Sequence, residues 1–245
     1  MTERDLTIGV IGGLGPEAAV DFFAKLVKAT PARTDQEHLR ILIDNNPKVP
    51  NRNDAIAGKG PSPAPALAEA ARGLARAGAD FIVMACNTAH AFEREIRSAC
   101  PVPFVSMIEE TADEVARRFG GAGAIGVIAA AGCVDAGLYQ AALKARGLRC
   151  LVPEGDLRAR FMDLVYRIKA GDTGAAVAEG MRQVGEALIA QGAEAIVAGC
   201  TEVPLVLAPN ALSRPLLDAT DLLARRAVAY ARHELLLPTQ TRPAA

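Results

Sequence analysis

One short phrase occurs twice in this chain, and each copy ends in a cysteine. Gly78-Ala79-Asp80-Phe81-Ile82-Val83-Met84-Ala85-Cys86 is matched by Gly192-Ala193-Glu194-Ala195-Ile196-Val197-Ala198-Gly199-Cys200. Each reads as a glycine that closes a helix, an acid, an apolar strand, and a thiol where the strand stops. A second pair, Ile8-Gly9-Val10-Ile11-Gly12 and Ile125-Gly126-Val127-Ile128-Ala129, recurs at nearly the same offset. Such duplication calls for two similar halves. If each brings one thiol to the carboxyl end of a strand, the site between them has pseudo-twofold symmetry. Paired proton-transfer groups of that kind suit chemistry that treats mirror-image substrates alike.

Around these phrases, short Val- and Ile-rich runs alternate with longer helical periods, the pattern of a parallel sheet covered on both faces. The expected strands are Leu6–Ile11, Leu39–Asp44, Phe81–Met84, Val102–Val105, Ala124–Ile128, Leu148–Val152, Ala195–Ala198 and Pro215–Leu217. Their near-continuous apolar character predicts burial on both sides. Leu67, Ala71 and Leu74, then Val177, Met181, Val184 and Leu188, keep helical spacing and stop before Gly78 and Gly192, each placed for a left-handed cap. Leu157, Phe161, Leu164, Val165 and Ile168 form a third such face, ending before Gly171. Prolines and glycines mark 58–65 and the stretch around Pro47 and Pro50 as loops. A final helix is expected over Thr220–Glu234, returning to the first half, with a disordered tail after Leu237. The expected fold class is α/β. Its organisation is one domain of residues 1–106 plus 218–245 and another of 107–217, the echo placing a boundary near Ser106–Met107.

The 245 residues are 51% hydrophobic and 22% charged, with a formal net charge of -1. That supports sizeable cores and argues against nucleic acid or an anionic membrane as partner. The opening Met1-Thr2-Glu3-Arg4-Asp5 carries acids where a secretory signal is basic, and the apolar stretch Ala122–Val134 is too short to span a bilayer. A soluble, cytoplasmic protein is the expectation. Five cysteines, an odd number in a long aliphatic-rich chain, read as reduced thiols rather than a disulfide framework.

In open α/β sheets, sites form beyond the carboxyl ends of the strands. Cys86-Asn87-Thr88-Ala89-His90 and Cys200-Thr201-Glu202-Val203-Pro204 fall there. A thiol facing the amino end of the next helix is expected to have a lowered pKa. Asn87, Thr88 and Thr201 supply donors for an anion between the thiols. Cys100, Cys133 and Cys150 read as small packing residues. Arg52, after a proline-rich loop, offers a fork suited to a carboxylate. Lys169, at the margin of an apolar helix face, reads equally as an inward amine or a solvated lysine at a helix C-terminus. Asn45 and Asn46 fit a turn at least as well as a substrate contact. His90 reads first as a packing residue, and Glu202 as a helix cap. No Cys/His spacing suits a metal.

Five ordered motifs carry a resemblance: Ile11-Gly12-Gly13-Leu14-Gly15-Pro16-Glu17-Ala18, Asp44-Asn45-Asn46-Pro47-Lys48-Val49-Pro50, Cys86-Asn87-Thr88-Ala89-His90, Gly137-Leu138-Tyr139-Gln140 and Gly199-Cys200-Thr201-Glu202-Val203-Pro204-Leu205. Together, over about Leu6 to Asp218, the chain resembles the aspartate/glutamate racemase superfamily, and within it the aspartate racemase branch. The resemblance implies two pseudo-symmetric three-layer α/β domains with mainly parallel sheets and a site in the interdomain cleft. It implies a racemase that uses no pyridoxal or other cofactor and no metal, and forms a homodimer. Cys86 and Cys200 match its acid–base pair, and Arg52 and Lys169 its cationic contacts to the distal carboxylate of a small acidic amino acid. The chain departs from the pattern at Asn51, where an acid is usual, and at Ala130 and Cys133, where hydroxyls are usual.

Other readings stay open on the residues alone. Gly13-Leu14-Gly15-Pro16-Glu17-Ala18 fits a loose dinucleotide turn, with Asp44 as a ribose acid, but that leaves the duplicated cysteines without a purpose. A thiol redox pair, an amino-acid sensor without catalysis, and a decarboxylase or cis–trans isomerase of diacids are further alternatives. The presence of both thiols counts against the decarboxylase branch.

Overall fold

The computed structural model describes residues 4–121 and 123–238. The tail expected to be disordered lies, from residue 239 on, outside them. The chain runs β1 (Ile8–Gly12), α1 (Pro16–Ala29), β2 (Ile41–Asn45), α2 (Arg52–Ile56), α3 (Ala64–Arg76), β3 (Phe81–Met84), α4 (Glu93–Ala99) and α5 (Met107–Phe119). It continues with β4 (Ile125–Ala129), α6 (Ala131–Asp135), α7 (Leu138–Ala145), β5 (Cys150–Leu151), α8 (Gly155–Lys169), α9 (Ala175–Ala190), β6 (Ala195–Gly199), β7 (Leu216–Asp218) and α10 (Ala219–Ala231).

Two parallel sheets result, a three-stranded one in the order β2-β1-β3 and a four-stranded one in the order β5-β4-β6-β7. Successive strand residues point to opposite faces, so each sheet is covered twice. In the first, Ile8, Val10, Phe81 and Val83 pack on α1 and α10, while Ile11, Ile82 and Met84 pack on α3 and α4. In the second, Ile128, Ile196 and Ala198 meet α8 and α9; Ile125, Val127 and Val197 meet α5 and α7. The fold is mixed α/β with two parallel sheets, each sandwiched between helices.

The duplicated phrases occupy equivalent places. Ile8 aligns with Phe81 as Ile125 aligns with Ala195. Gly78 and Gly192 take φ of 98° and 99°, the left-handed cap that glycine adopts without penalty. The acid that follows performs one task in both halves: Asp80 accepts from the Thr7 amide and Glu194 from the Gly123 amide. Each ties the start of its strand to its neighbour.

Several expected strands are shortened, each for a local reason. Leu6 donates its amide to Ala231 of α10 rather than joining the sheet. Val102–Val105 is reduced to a single bridge, Ile82 with Phe104, because Pro101 and Pro103 have no N–H for a ladder. The strand expected over Leu148–Val152 keeps only Cys150–Leu151, ahead of Pro153. Edge strand β2 is half-exposed rather than buried on both sides. The loop expected over 58–65 ends at Pro63; Pro65 lies in the first turn of α3, where its missing N–H costs nothing. The last helix stops at Ala231, with His233 at φ 59° just beyond. No helix among the described residues is long and apolar enough to cross a membrane.

Candidate active site

The carboxyl ends of both sheets converge on one cavity of about 30 Å³. The first half supplies Leu14 after β1, Arg52 and Asn53 of α2, and Cys86, Asn87 and Thr88 after β3. The second supplies Ala130 after β4, Val165 and Lys169 of α8, and Cys200, Thr201 and Glu202 after β6. All the residues singled out as site candidates, namely Cys86, Cys200, Arg52, Asn87, Thr88, Lys169 and Thr201, therefore line one space. A larger cleft of about 330 Å³ shares Leu14, Arg52, Asn53, Lys169 and Glu202 with it and adds Pro16, Val49, Tyr166 and Leu205.

On the Cys86 side, the thiol and Asn87 are buried, and the chain continues into a 3₁₀ turn over Thr88–Phe92. His90 closes this turn. Met107 N donates to its Nε2 at 3.0 Å, so that nitrogen is the acceptor and Nδ1 carries the proton given to Cys86 O at 2.8 Å. Complete burial pushes the imidazole pKa down, which keeps it neutral. His90 thus fastens the Cys86 turn to the first residue of α5. The Asn87 Nδ2 is buried without a partner.

On the Cys200 side the expectation of a lowered thiol pKa is overturned. Burial first, then the adjacent Glu202 carboxylate, push the thiol well above its ordinary value. No long helix follows to offset this, only a 3₁₀ turn over Val203–Leu205. Cys200 Sγ donates to Glu202 Oε2 at 3.0 Å, and Thr201 Oγ1 to the same oxygen at 3.2 Å. Glu202 makes no capping bond; its expected role gives way to an ion pair with Lys169 Nζ. Burial alone would push the Lys169 ammonium down, but Glu202 outweighs it and holds the group above its ordinary value. Lys169 points inward.

Arg52 heads α2, capped by Asn51, whose Oδ1 accepts from Asn53 N at 2.9 Å. The usual acid at position 51 is thus replaced by an equally good cap. The Arg52 guanidinium gives Nη1 to Val49 O and Pro50 O and Nη2 to Leu14 O, while Nε is buried without a partner. A guanidinium has five N–H donors, so part of the fork stays available. The glycine-rich turn has its own steric cause. Gly13 has φ 80°, and a Cβ there would lie 2.4 Å from Asn46 N; a Cβ on Gly15 would lie 2.9 Å from Glu202 Oε1 and 3.2 Å from Lys169 Nζ. Asn46 itself makes a turn, its Oδ1 accepting from Lys48 N.

Three contributors were not singled out from the sequence. Glu202, a cap by sequence position, instead meets Cys200 and Lys169. Asn53 accepts from Gly132 N at 2.9 Å and so joins the halves. Tyr139 donates to Asn87 Oδ1 at 2.6 Å. The signal for each was its place inside a quoted motif or next to one. None of the five cysteines, all of them among the described residues, is in a disulfide. Burial raises the thiols of Cys100, Cys133 and Cys150, the last to about 12, and Cys133 packs in the core of the second sheet. His38 is exposed, and His233 meets Arg4 O at 2.9 Å. No group of three or more His, Cys, Asp and Glu among the described residues has an arrangement for a metal ion.

The chain is similar to known racemases over most of its length. It is 26% identical over 230 residues to the broad specificity amino-acid racemase RacX of Bacillus subtilis, covering 90% of this chain and 96% of that one. It is 35% identical over 135 residues to a glutamate racemase of Desulforudis audaxviator, 54% of this chain and 48% of that one. Picrophilus torridus aspartate racemase superposes with a TM-score of 0.83 at 29% identity, covering 92% of this chain and 94% of that one. Residues 11–227 match the family described as Asp/Glu/hydantoin racemase, and with a thiol just beyond the carboxyl end of one strand in each half, β3 and β6, lining a shared cavity, the chain belongs to that family of isomerases.

Proposed function

We propose that this protein interconverts the enantiomers of a small acidic amino acid, aspartate in the first place and glutamate second, without a cofactor. Cys86 and Cys200 are the acid–base pair. The observation that supports this is that the two thiols, one from each half, line the same small cavity. Inverting a carbon needs a base on one face and an acid on the other. Cys200 rests as the thiol, its proton held toward Glu202. In one direction Cys86, as thiolate, takes the α-proton while Cys200 delivers its own to the opposite face. The protonation states are then exchanged, ready for the reverse direction.

Removing an α-proton puts negative charge on the α-carboxylate, and donors already in place there lower the barrier. Asn87 and Thr88 belong to that set, and Thr201 joins it when its hydroxyl turns from Glu202 to the substrate. Arg52 and Lys169 hold the distal carboxylate, with residues 1–106 plus 218–245 and residues 107–217 as the units that close on the substrate. We take the working form to be a cytoplasmic homodimer, which sedimentation of the purified protein checks. A wider substrate range is favoured by one observation: Glu202 already neutralises Lys169, so a distal carboxylate is not needed to balance that charge.

Single enantiomers of aspartate, glutamate and alanine in deuterated water test both readings. Proton NMR should show the α-hydrogen replaced as the other enantiomer appears, fastest for aspartate. Cys86→Ser and Cys200→Ser should each lose at least ~100-fold in two-way racemisation while melting like the wild type. Absence of exchange with every amino acid, or full activity in either serine variant, overturns the proposal. Equal rates on aspartate and alanine select the wider range.

A further inference from the structure

Tyr139 has contacts to both thiol-bearing turns. It stands on α7, in the second half, and is buried. Its hydroxyl crosses to the first half and donates to Asn87 Oδ1 at 2.6 Å, one residue after Cys86. Its ring lies against Gly199, one residue before Cys200: a Cβ on Gly199 would come within 3.0 Å of Tyr139 Cε2. That close approach also explains why the second phrase carries glycine where the first carries Ala85.

The hydroxyl contact decides something that shape cannot. A carboxamide is nearly symmetric in outline, with an acceptor at one end and donors at the other. Its orientation is set by hydrogen bonding alone. Asn87 Oδ1 is engaged by Tyr139, whereas Nδ2 is buried without a protein partner on a residue that lines the cavity. Burial pushes the tyrosine pKa well up, so the hydroxyl keeps its proton and needs an acceptor. Turned the other way, the amide would present oxygen to a carboxylate and repel it.

We propose that Tyr139 is a positioning residue that fixes the Asn87 carboxamide with its NH2 toward the substrate carboxylate and braces the two thiol turns against each other. This rests on the racemase reading. Because charge grows on that carboxylate in the transition state, loss of the orientation lowers kcat more than it raises KM.

Tyr139→Phe keeps the ring against Gly199 and removes only the hydroxyl. Expected is a fall of at least tenfold in kcat with a smaller rise in KM, and no further loss when Tyr139→Phe is added to Asn87→Ala, since the phenol acts through that amide. An active wild type whose Tyr139→Phe variant keeps its kcat overturns this assignment alone, as do independent, multiplying effects of the two substitutions. A wild type that exchanges no α-hydrogen overturns the racemase reading and this assignment with it. A second measurement needs no change at Tyr139. In the 15N-labelled wild-type protein, the side-chain NH2 signals of Asn87, identified by their loss in Asn87→Ala, should shift on adding succinate. Succinate that moves the Cys86 amide signal but leaves the Asn87 NH2 pair in place overturns the assignment.

Discussion

Cys200 Sγ and Glu202 Oε2 are 3.0 Å apart, with the thiol donating to the carboxylate. The other oxygen of the same carboxylate holds Lys169 Nζ. One acid therefore favours the protonated form of a reactive thiol and cancels a cation that the substrate would otherwise meet. Both effects act inside a low-dielectric pocket, where they are stronger than in water.

Replacing that carboxylate should release the thiol. In Glu202→Gln the charge that disfavours the thiolate is gone and the Lys169 ammonium is left unopposed, so both changes push the Cys200 pKa down. Alkylation of Cys200 by iodoacetamide, followed by peptide mass mapping, should become faster at a given pH than in the wild type. Racemisation should fall by at least about tenfold, because the proton donor loses its proton too readily. Unchanged or slower alkylation would falsify the role given to Glu202.

Arg52 makes a different prediction, because part of its fork is already engaged with Val49 O, Pro50 O and Leu14 O. Arg52→Lys keeps the charge but loses the planar donors. Each charge-assisted bond is worth about 1.5–3 kcal/mol, so kcat/KM for aspartate should drop by roughly 10–100-fold. Alanine, with no distal carboxylate, should lose much less. Parallel losses on the two substrates in steady-state assays would remove Arg52 from the substrate-binding set and leave it as a loop tie.

Much of this architecture was legible because the chain repeats itself. The paired glycines, acids and strand runs lie at equivalent places in the two sheets, down to the φ of Gly78 and Gly192. Cys86 and Cys200 could be placed at strand ends for the same reason. Glu202 could not be assigned, since an acid two residues after the strand-end cysteine reads as a cap until Lys169 of α8 is brought beside it. The Tyr139 hydroxyl and the Asn53 carboxamide meet their partners across the halves, and no local periodicity encodes such a contact. The thiol pKa of Cys200 went against expectation because burial and a neighbouring carboxylate outweigh a short 3₁₀ turn.

Glu110 gives a prediction about stability and pH. It is buried between α5 and α10, where Tyr230 Oη donates to Oε1 at 2.5 Å and Arg226 Nε lies 3.1 Å from Oε2. Burial raises its pKa, opposed by Tyr230 and Arg226 and reinforced by Asp113 and Glu109. A carboxyl whose folded pKa is raised contributes most below its unfolded value, about 4.3. That contribution is lost as pH climbs through the folded value. Glu110→Gln removes this titration, and the groups not coupled to Glu110 cancel when the variant is compared with the wild type. Melts from about pH 4 to about pH 7 should show the wild type losing stability relative to the variant. A constant gap between the two profiles rules out a raised Glu110.

Gly126 and Gly9 make equivalent close contacts that differ in one respect, and the difference is measurable. A Cβ on Gly126 would lie 2.4 Å from Ile196 Cδ1, with Ala193 Cβ and Leu188 Cβ both at 3.2 Å. A Cβ on Gly9 would lie 2.6 Å from Ile82 Cδ1 but also 2.8 Å from Ala79 Cβ. Alanine at either site gains about 0.4–1 kcal/mol from a less flexible unfolded chain. Overpacking costs about 1–3 kcal/mol and wins. At Gly126 the offending atom is the tip of one side chain, so Ile196→Val, which deletes it, should recover much of the loss in Gly126→Ala. At Gly9 the Ala79 methyl group remains after Ile82→Val and cannot rotate away. Denaturant titration of both pairs should therefore give a larger rescue at Gly126, and equal rescue would show that the Ala79 methyl group is not the obstacle at Gly9.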